Sequence, residues 1–215
     1  ADEVIVVEGY MDVVALGAAG FDNVVAPLGT AVTESQARLI QRYSRLVIDC
    51  NRPPETAGSV PAVSDGVQVP ANAAATPQEL AARRREIFDP LDMALAEGFD
   101  RAPRRAAFSI HSFTASMNGD ARPWHAGFLS RTEEGAADAL IAHLAGADEA
   151  LTLGLNAPYE IEDETDWFIP RHAEPRRLAH CLIEVRNDQL RDPAGVARWA
   201  DLLSDAIAHI LEPAP

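Results

Sequence analysis

Short β-branched apolar runs alternate with stretches of helical period over the first fifty residues. Val4 to Val7 predicts a strand, Met11 to Ala19 a helix stopped by Gly20, and Asn23 to Pro27 a second strand. A helix follows from about Glu34 to Tyr43 with Thr33 as its N-cap, and Leu46 to Cys50 predicts a third strand. Strands and helices alternating at this spacing call for parallel pairing through right-handed crossovers. Pro53 to Pro77 has little periodicity and much Pro, Ala, Gly, Ser and Val, so it reads as a long functional or mobile loop.

The second half continues in the same style. Helices are expected from about Pro77 to Ile87, Pro90 to Glu97 and Glu133 to Ala145, with an amphipathic one from Pro193 to Leu211. Ala106 to Ile110 predicts a strand that delivers His111-Ser112-Phe113 at its end. Further strands are expected at His125 to Leu129, Leu151 to Leu153 and Cys181 to Val185, the last ending in Arg186-Asn187-Asp188. Ala157 to Arg177 reads as a polar, proline-punctuated loop. The expected architecture is a three-layer α/β/α domain with a mostly parallel sheet over residues 1–215. In open sheets of that kind ligands bind beyond the carboxyl ends of the strands. Glu8, Asn51-Arg52, His111 and Glu184-Arg186 all lie at or near such ends.

Composition narrows the function classes. The chain of 215 residues is 47% hydrophobic and 24% charged, ordinary for a globular protein, with no run long enough to span a membrane and no basic-then-apolar start. It enters a strand almost at once from Ala1, as a fragment or processed product would. The net charge is -15 and all 18 basic residues are arginine, a balance that repels nucleic acid at long range. Cys50 and Cys181 have no metal-ligand spacing, and buried free thiols in a reducing cytoplasm fit them best.

The candidate chemistry is metal-assisted hydrolysis by a strand-end histidine and a carboxylate. A histidine such as His111 at a strand end can bind zinc and leave a position open for water, while a carboxylate such as Glu184 takes that water's proton. Arg52 and Arg186 are suited to anchoring an acidic substrate and stabilising an oxyanion. The plain alternatives are a structural histidine at 111 and an ion pair between Glu184 and Arg186.

Several segments resemble the N-formylglutamate amidohydrolase family. They are Tyr43-Ser44-Arg45-Leu46-Val47-Ile48-Asp49-Cys50-Asn51-Arg52-Pro53, Val63-Ser64-Asp65-Gly66 and His111-Ser112-Phe113-Thr114. Arg122-Pro123-Trp124-His125-Ala126-Gly127, Ile169-Pro170-Arg171-His172-Ala173-Glu174 and Ile183-Glu184-Val185-Arg186-Asn187-Asp188 continue the match, so it takes in residues 43–215. The resemblance implies a fold similar to zinc carboxypeptidases and a small acidic N-acyl amino acid as substrate. It implies His111 as a zinc ligand and Glu184 as general base, with Asn51 and Arg52 binding a substrate carboxylate. His172, Arg186 and Arg122 would be further site residues. The family's first strand normally ends in an acidic residue and a histidine, whereas here it reads Glu8-Gly9, so Glu8 keeps one metal ligand and the other is lost. Asp92 stands where the family has histidine, and Ala157 where it has glutamate.

Residues 1–42 resemble something else. Val6-Val7-Glu8-Gly9-Tyr10-Met11-Asp12 and Ala19-Gly20-Phe21-Asp22-Asn23-Val24-Val25-Ala26-Pro27-Leu28-Gly29-Thr30 are similar to the opening of the Toprim domain of bacterial-type DNA primases. That resemblance implies magnesium bound by Glu8, with Asp49 the remaining carboxylate of a second acidic motif. The expectations are therefore an amidohydrolase with an impaired site, a Toprim-type nucleic-acid module, or an inactive hybrid of the two.

Overall fold

The protein is described from a computed structural model, covering residues 5–7, 24–25, 45–64, 66–132 and 134–211. The helices expected at Met11 to Ala19 and Glu34 to Tyr43 lie outside these residues, as do Glu8, Gly9 and Asp65. The strands are β1 (Ile5–Val7), β2 (Val24–Val25), β3 (Val63–Ser64), β4 (Val67–Gln68), β5 (Ala106–Phe113), β6 (Ser116–Met117), β7 (Asp120–Ala121), β8 (Ala126–Leu129), β9 (Leu153–Leu155) and β10 (Ala179–Arg186). The helices are α1 (Pro70–Ala73), α2 (Pro77–Arg83), α3 (Asp89–Arg101), α4 (Gly135–Ala147) and α5 (Pro193–Leu211).

A mixed sheet in the order β2-β1-β5-β10-β8-β9 carries the fold. Every neighbouring pair is parallel except β8 with β10, so the expected mostly parallel α/β architecture is what forms. β1 pairs with β5, which places the first strand in the same sheet as the rest of the chain.

Side-chain alternation along β5, β8 and β10 separates two cores, because successive residues of a strand point to opposite faces. Phe108, Ile110, Ala126, Phe128, Cys181, Ile183 and Val185 turn to one face and bury against α4 and α5. Trp199, Leu203, Ile207 and Leu211, spaced by four, form the apolar stripe of α5 that covers them. Ala107, Leu129 and Leu182 turn to the other face, under Phe168, Ile169 and Ala173, with Leu95 and Phe99 of α3 packed alongside. That second face also carries Ser109, His111, His180 and Glu184, all buried polar residues. Among the described residues no helix is long and apolar enough to cross a membrane.

The structure corrects several sequence expectations. Leu46 to Cys50 is a turn and extended segment outside the sheet, not a strand. Its backbone is held by side chains and loops instead. Asn72 donates to Leu46 O, Arg83 donates to Val47 O, and the Asp49 N–H bonds Ser59 O at 2.7 Å. Cys50 accordingly sits in this turn, only partly buried, rather than in a strand, while Cys181 is buried in β10. The Pro53 to Pro77 loop contains the β3–β4 hairpin and α1, and a second small hairpin, β6–β7, was not expected at all. The strand expected at Leu151 to Leu153 forms two residues later, at Leu153–Leu155. The polar loop before β10 holds a π-helical turn at Ile169–Ala173 and a 3-10 turn at Glu174–Arg176.

Candidate active site

One register row of the sheet builds the site. Glu184 on β10 is the register partner of His111 on β5 and of Gly127 on β8, and Gly127 in turn pairs with Gly154 on β9. Paired residues share a face, so His111 and Glu184 stand side by side near the carboxyl ends of two parallel strands. The two glycines extend the row with no side chain. A Cβ on Gly127 would come within 1.8 Å of Ala157 O, and one on Gly154 within 2.7 Å of the Trp124 ring. The loop at 156–159 therefore lies directly on the sheet beside Glu184, and it carries Tyr159 and Glu160 to the cavity.

That cavity has a volume of about 340 Å³. Leu182 and Leu129, one row below, form its floor, and Glu160, Glu162, Asp166, Glu184, Arg45 and Arg52 bring charge to its walls beside His111. His111 is 4% exposed and Glu184 7%, and Nε2 of His111 lies 2.7 Å from the Ser109 hydroxyl. The two arginines are organised by one buried carboxylate. Asp49 Oδ2 accepts from Arg45 Nη2 at 2.6 Å and from Arg52 Nε at 3.2 Å, and its Oδ1 accepts the backbone N–H of Asn51 at 3.0 Å. Arg52 also donates Nη1 to Thr165 O at 3.3 Å, so these bonds use two of its five N–H groups.

Asn51 ties the far wall to this turn. Its Oδ1 accepts the backbone N–H groups of Trp167 and Phe168 at 3.3 and 2.9 Å, and its Nδ2 donates to Asp166 Oδ1 at 3.3 Å. Asp166 thereby points into the cavity. Burial pushes its carboxyl above the usual range, outweighing the Glu162 N–H and Thr165 hydroxyl it accepts and the attraction of His111 and Arg52. The sequence reading missed Asp166. Its only signal was the acidic stretch Glu160 to Asp166, which is indistinguishable from a solvated loop until the chain folds back over His111.

Four expected site residues line this cavity: His111, Glu184, Asn51 and Arg52. Three others lie elsewhere. Arg186 grips Asp188 through Nε (2.7 Å) and Nη2 (3.2 Å) and gives Nη1 to the carbonyls of Arg122 and Pro123. That ion pair holds Asp188 below the usual carboxylate range. His172 is 2% exposed, stacked on Phe99 and bonded through Nε2 to Asp92 Oδ1 at 2.8 Å. Trp167 Nε1 donates to the same Asp92 oxygen at 2.7 Å. Burial opposes the charge on Asp92, but the bonds from His172 and Trp167 prevail and hold its carboxyl below the usual range. Arg122 donates to the Tyr159 hydroxyl at 2.7 Å and packs its guanidinium over the Tyr159 ring at 4.8 Å, and is not part of the cavity lining.

The zinc site implied by resemblance is not completed by the described residues. No group of three His, Cys, Asp or Glu side chains among them is placed to hold a metal ion. Nε2 of His111 is engaged with Ser109, and position 9 offers no donor. Asp49, the second carboxylate of the Toprim expectation, spends both oxygens on arginines and a backbone N–H.

A mixed sheet with helices on both faces and a polar cavity over the carboxyl ends of adjacent parallel strands defines an α/β protein with its cavity where such sheets bind ligands. The sequence profile of N-formylglutamate amidohydrolase matches residues 13–191, and the chain belongs to that family. Gene product Atu2144 from Agrobacterium tumefaciens is similar in structure, with a TM-score of 0.72 and 29% identity over 98% of this chain and 92% of that one. N-formylglutamate amidohydrolase from Ralstonia eutropha JMP134 shares the fold at a TM-score of 0.54 and 15% identity, over 84% of this chain and 79% of that one. The N-terminal stretch is similar to DNA primases: 53% identical over 47 residues to that of Clostridium acetobutylicum and 58% over 48 residues to that of Campylobacter jejuni. Each match takes in 22% of this chain and 8% of the primase, so the chain spans under a tenth of the length of these curated relatives.

Proposed function

We propose that the cavity hydrolyses the amide of a small N-acyl amino acid. The observation that carries this reading is the pairing of His111 with Glu184 in one register row, above a floor of Leu182 and Leu129 and beside two arginines. Glu184 acts as general base: it takes a proton from water as the oxygen attacks the acyl carbon, then passes it to the departing nitrogen. Arg52, with Arg45 beside it, holds the substrate carboxylate by charge-assisted hydrogen bonds. Asn51 is a positioning residue that fixes the segment bearing Asp166. His111 orients the acyl carbonyl, and Glu8 is the further residue that the family resemblance would draw on to hold a metal. Formate release from N-formyl amino acids by the purified protein, with added zinc and with a chelator, tests the reading. Turnover abolished by Glu184→Gln would support it, and no turnover under any condition would move the assignment to an inactive scaffold.

The primase-like stretch favours a second reading, a magnesium-dependent nucleic-acid module using Glu8 and Asp49. The net charge of -15 and the engagement of Asp49 with Arg45 and Arg52 count against it. A mobility shift of single-stranded DNA at moderate salt with magnesium would favour it.

A further inference from the structure

One register row below His111 and Glu184, the sheet reads Val6, Ser109, Leu182 and Leu129 across β1, β5, β10 and β8. Ser109 is the polar member of an otherwise apolar row. It is 4% exposed and takes no part in lining the cavity, whereas Leu182 and Leu129 form the floor. A hydroxyl buried among apolar neighbours is unfavourable unless it finds a hydrogen bond. Among the described residues the partner of Ser109 Oγ is Nε2 of His111, at 2.7 Å.

Residues two apart on a strand share a face, so Ser109 meets the imidazole from below, on the side away from the carboxyl end of β5. A serine hydroxyl has one hydrogen to give, and a neutral imidazole has one nitrogen that accepts. With Nε2 as the acceptor, the hydroxyl donates there and the ring carries its own hydrogen on Nδ1. The opposite arrangement, Nε2–H onto Oγ, would leave the buried hydroxyl hydrogen without an acceptor among the described residues.

Resting on the amidohydrolase reading above, we infer that Ser109 is a positioning residue whose hydroxyl holds His111 in the tautomer that offers Nδ1–H to the acyl oxygen. His111 lines the cavity and Ser109 does not, so Ser109 acts through the ring. As the water oxygen attacks the acyl carbon, negative charge gathers on the acyl oxygen. A donor already fixed in place stabilises that charge with no reorganisation at the moment of reaction. In the other tautomer a lone pair would stand at Nδ1, and it would repel the same oxygen.

Threonine and valine at position 109 have the same shape and differ in the hydroxyl, so they separate hydrogen bonding from packing. Ser109→Thr is expected to keep most of the kcat for formate release from N-formyl-L-glutamate. Ser109→Val is expected to lower kcat by about 10- to 100-fold, the usual effect of removing a histidine's outer partner, with KM changing less. A packing role alone would give both variants the same kcat. Long-range proton–nitrogen correlation spectra of the full chain at mildly alkaline pH read the tautomer without turnover, with the His111 signals assigned by their loss in His111→Asn. The hydrogen is expected on Nδ1 in the unaltered chain and in Ser109→Thr, and distributed over both nitrogens in Ser109→Val. Ser109→Ala, smaller than serine, is measured alongside and is expected to behave as Ser109→Val, which keeps the test standing should valine prevent folding. Hydrogen on Nε2 in the unaltered chain would overturn the inference while leaving the hydrolase reading intact, and so would spectra and kcat that do not depend on the hydroxyl. If the unaltered chain releases no formate, the spectra decide alone: a tautomer set by the hydroxyl would support the hold of Ser109 on His111 although the hydrolase reading had failed, and one indifferent to it would overturn both.

Discussion

Glu184 and Asp166 carry opposite expectations for the same change to an amide. Glu184→Gln is expected to lower the rate of formate release by about 10²–10⁴-fold, the usual contribution of a general base, with the fold retained by circular dichroism. Asp166 has a carboxyl raised by burial, so its charged form is less stable folded than unfolded. Its contribution to stability is therefore present at low pH and lost as pH rises through the raised folded pKa. Asp166→Asn should raise the melting temperature at neutral pH, and a lower melting temperature would overturn that expectation. Asp92 has the reverse sign. Its carboxyl is held low by His172 and Trp167 against burial, so it stabilises the fold above the ordinary carboxylate range and ceases to do so as pH falls through the lowered value. Asp92→Asn should flatten the acid limb of a stability-against-pH curve. In the sequence Asp92 read only as a lost histidine. In the fold it is the partner of His172, a role set by two elements meeting eighty residues apart.

At the scale of elements, the strand row His111-Glu184-Gly127-Gly154 decides where the cavity wall can lie. Gly127→Ala places a methyl against the Ala157 carbonyl, and backbone on both sides leaves no flexible atom to yield. The expected cost is about 1–3 kcal/mol or more in chemical denaturation, as for other overpacked interior sites. A higher KM should follow, because Tyr159 is carried on the displaced loop. The two central strands were legible because apolar residues recur at alternate positions, Phe108 and Ile110 in β5 and Cys181, Ile183 and Val185 in β10, with polar Ser109, His111 and Glu184 between or beside them. The Leu46 to Cys50 segment has the same apolar look, yet both edges of β5 are already taken by β1 and β10. The segment instead closes on Asp49, whose carboxylate binds Arg45, Arg52 and the Asn51 N–H. A local pattern cannot register that competition for sheet edges.

For the whole molecule, the first strand joins a primase-like stretch to an amidohydrolase sheet by pairing β1 with β5. Val7 pairs with Ile110, the residue before His111, so the chain end of β1 runs toward the site. Gly9→His is expected to raise zinc affinity sharply, since ligand number governs it, and calorimetry showing unchanged affinity would remove position 9 from the site. The α/β class and the placing of His111 and Glu184 near strand ends were legible in the sequence alone, because strand alternation is a local property, whereas Arg52 reaches the same cavity from a turn and not from the strand end that the sequence predicts. Tertiary structure decided the rest: Asp166 in the cavity, and Arg186, His172 and Arg122 outside its lining. Each of those depends on which distant loop lies over which strand end, a matter of packing and satisfied hydrogen bonds across the chain rather than of any single stretch.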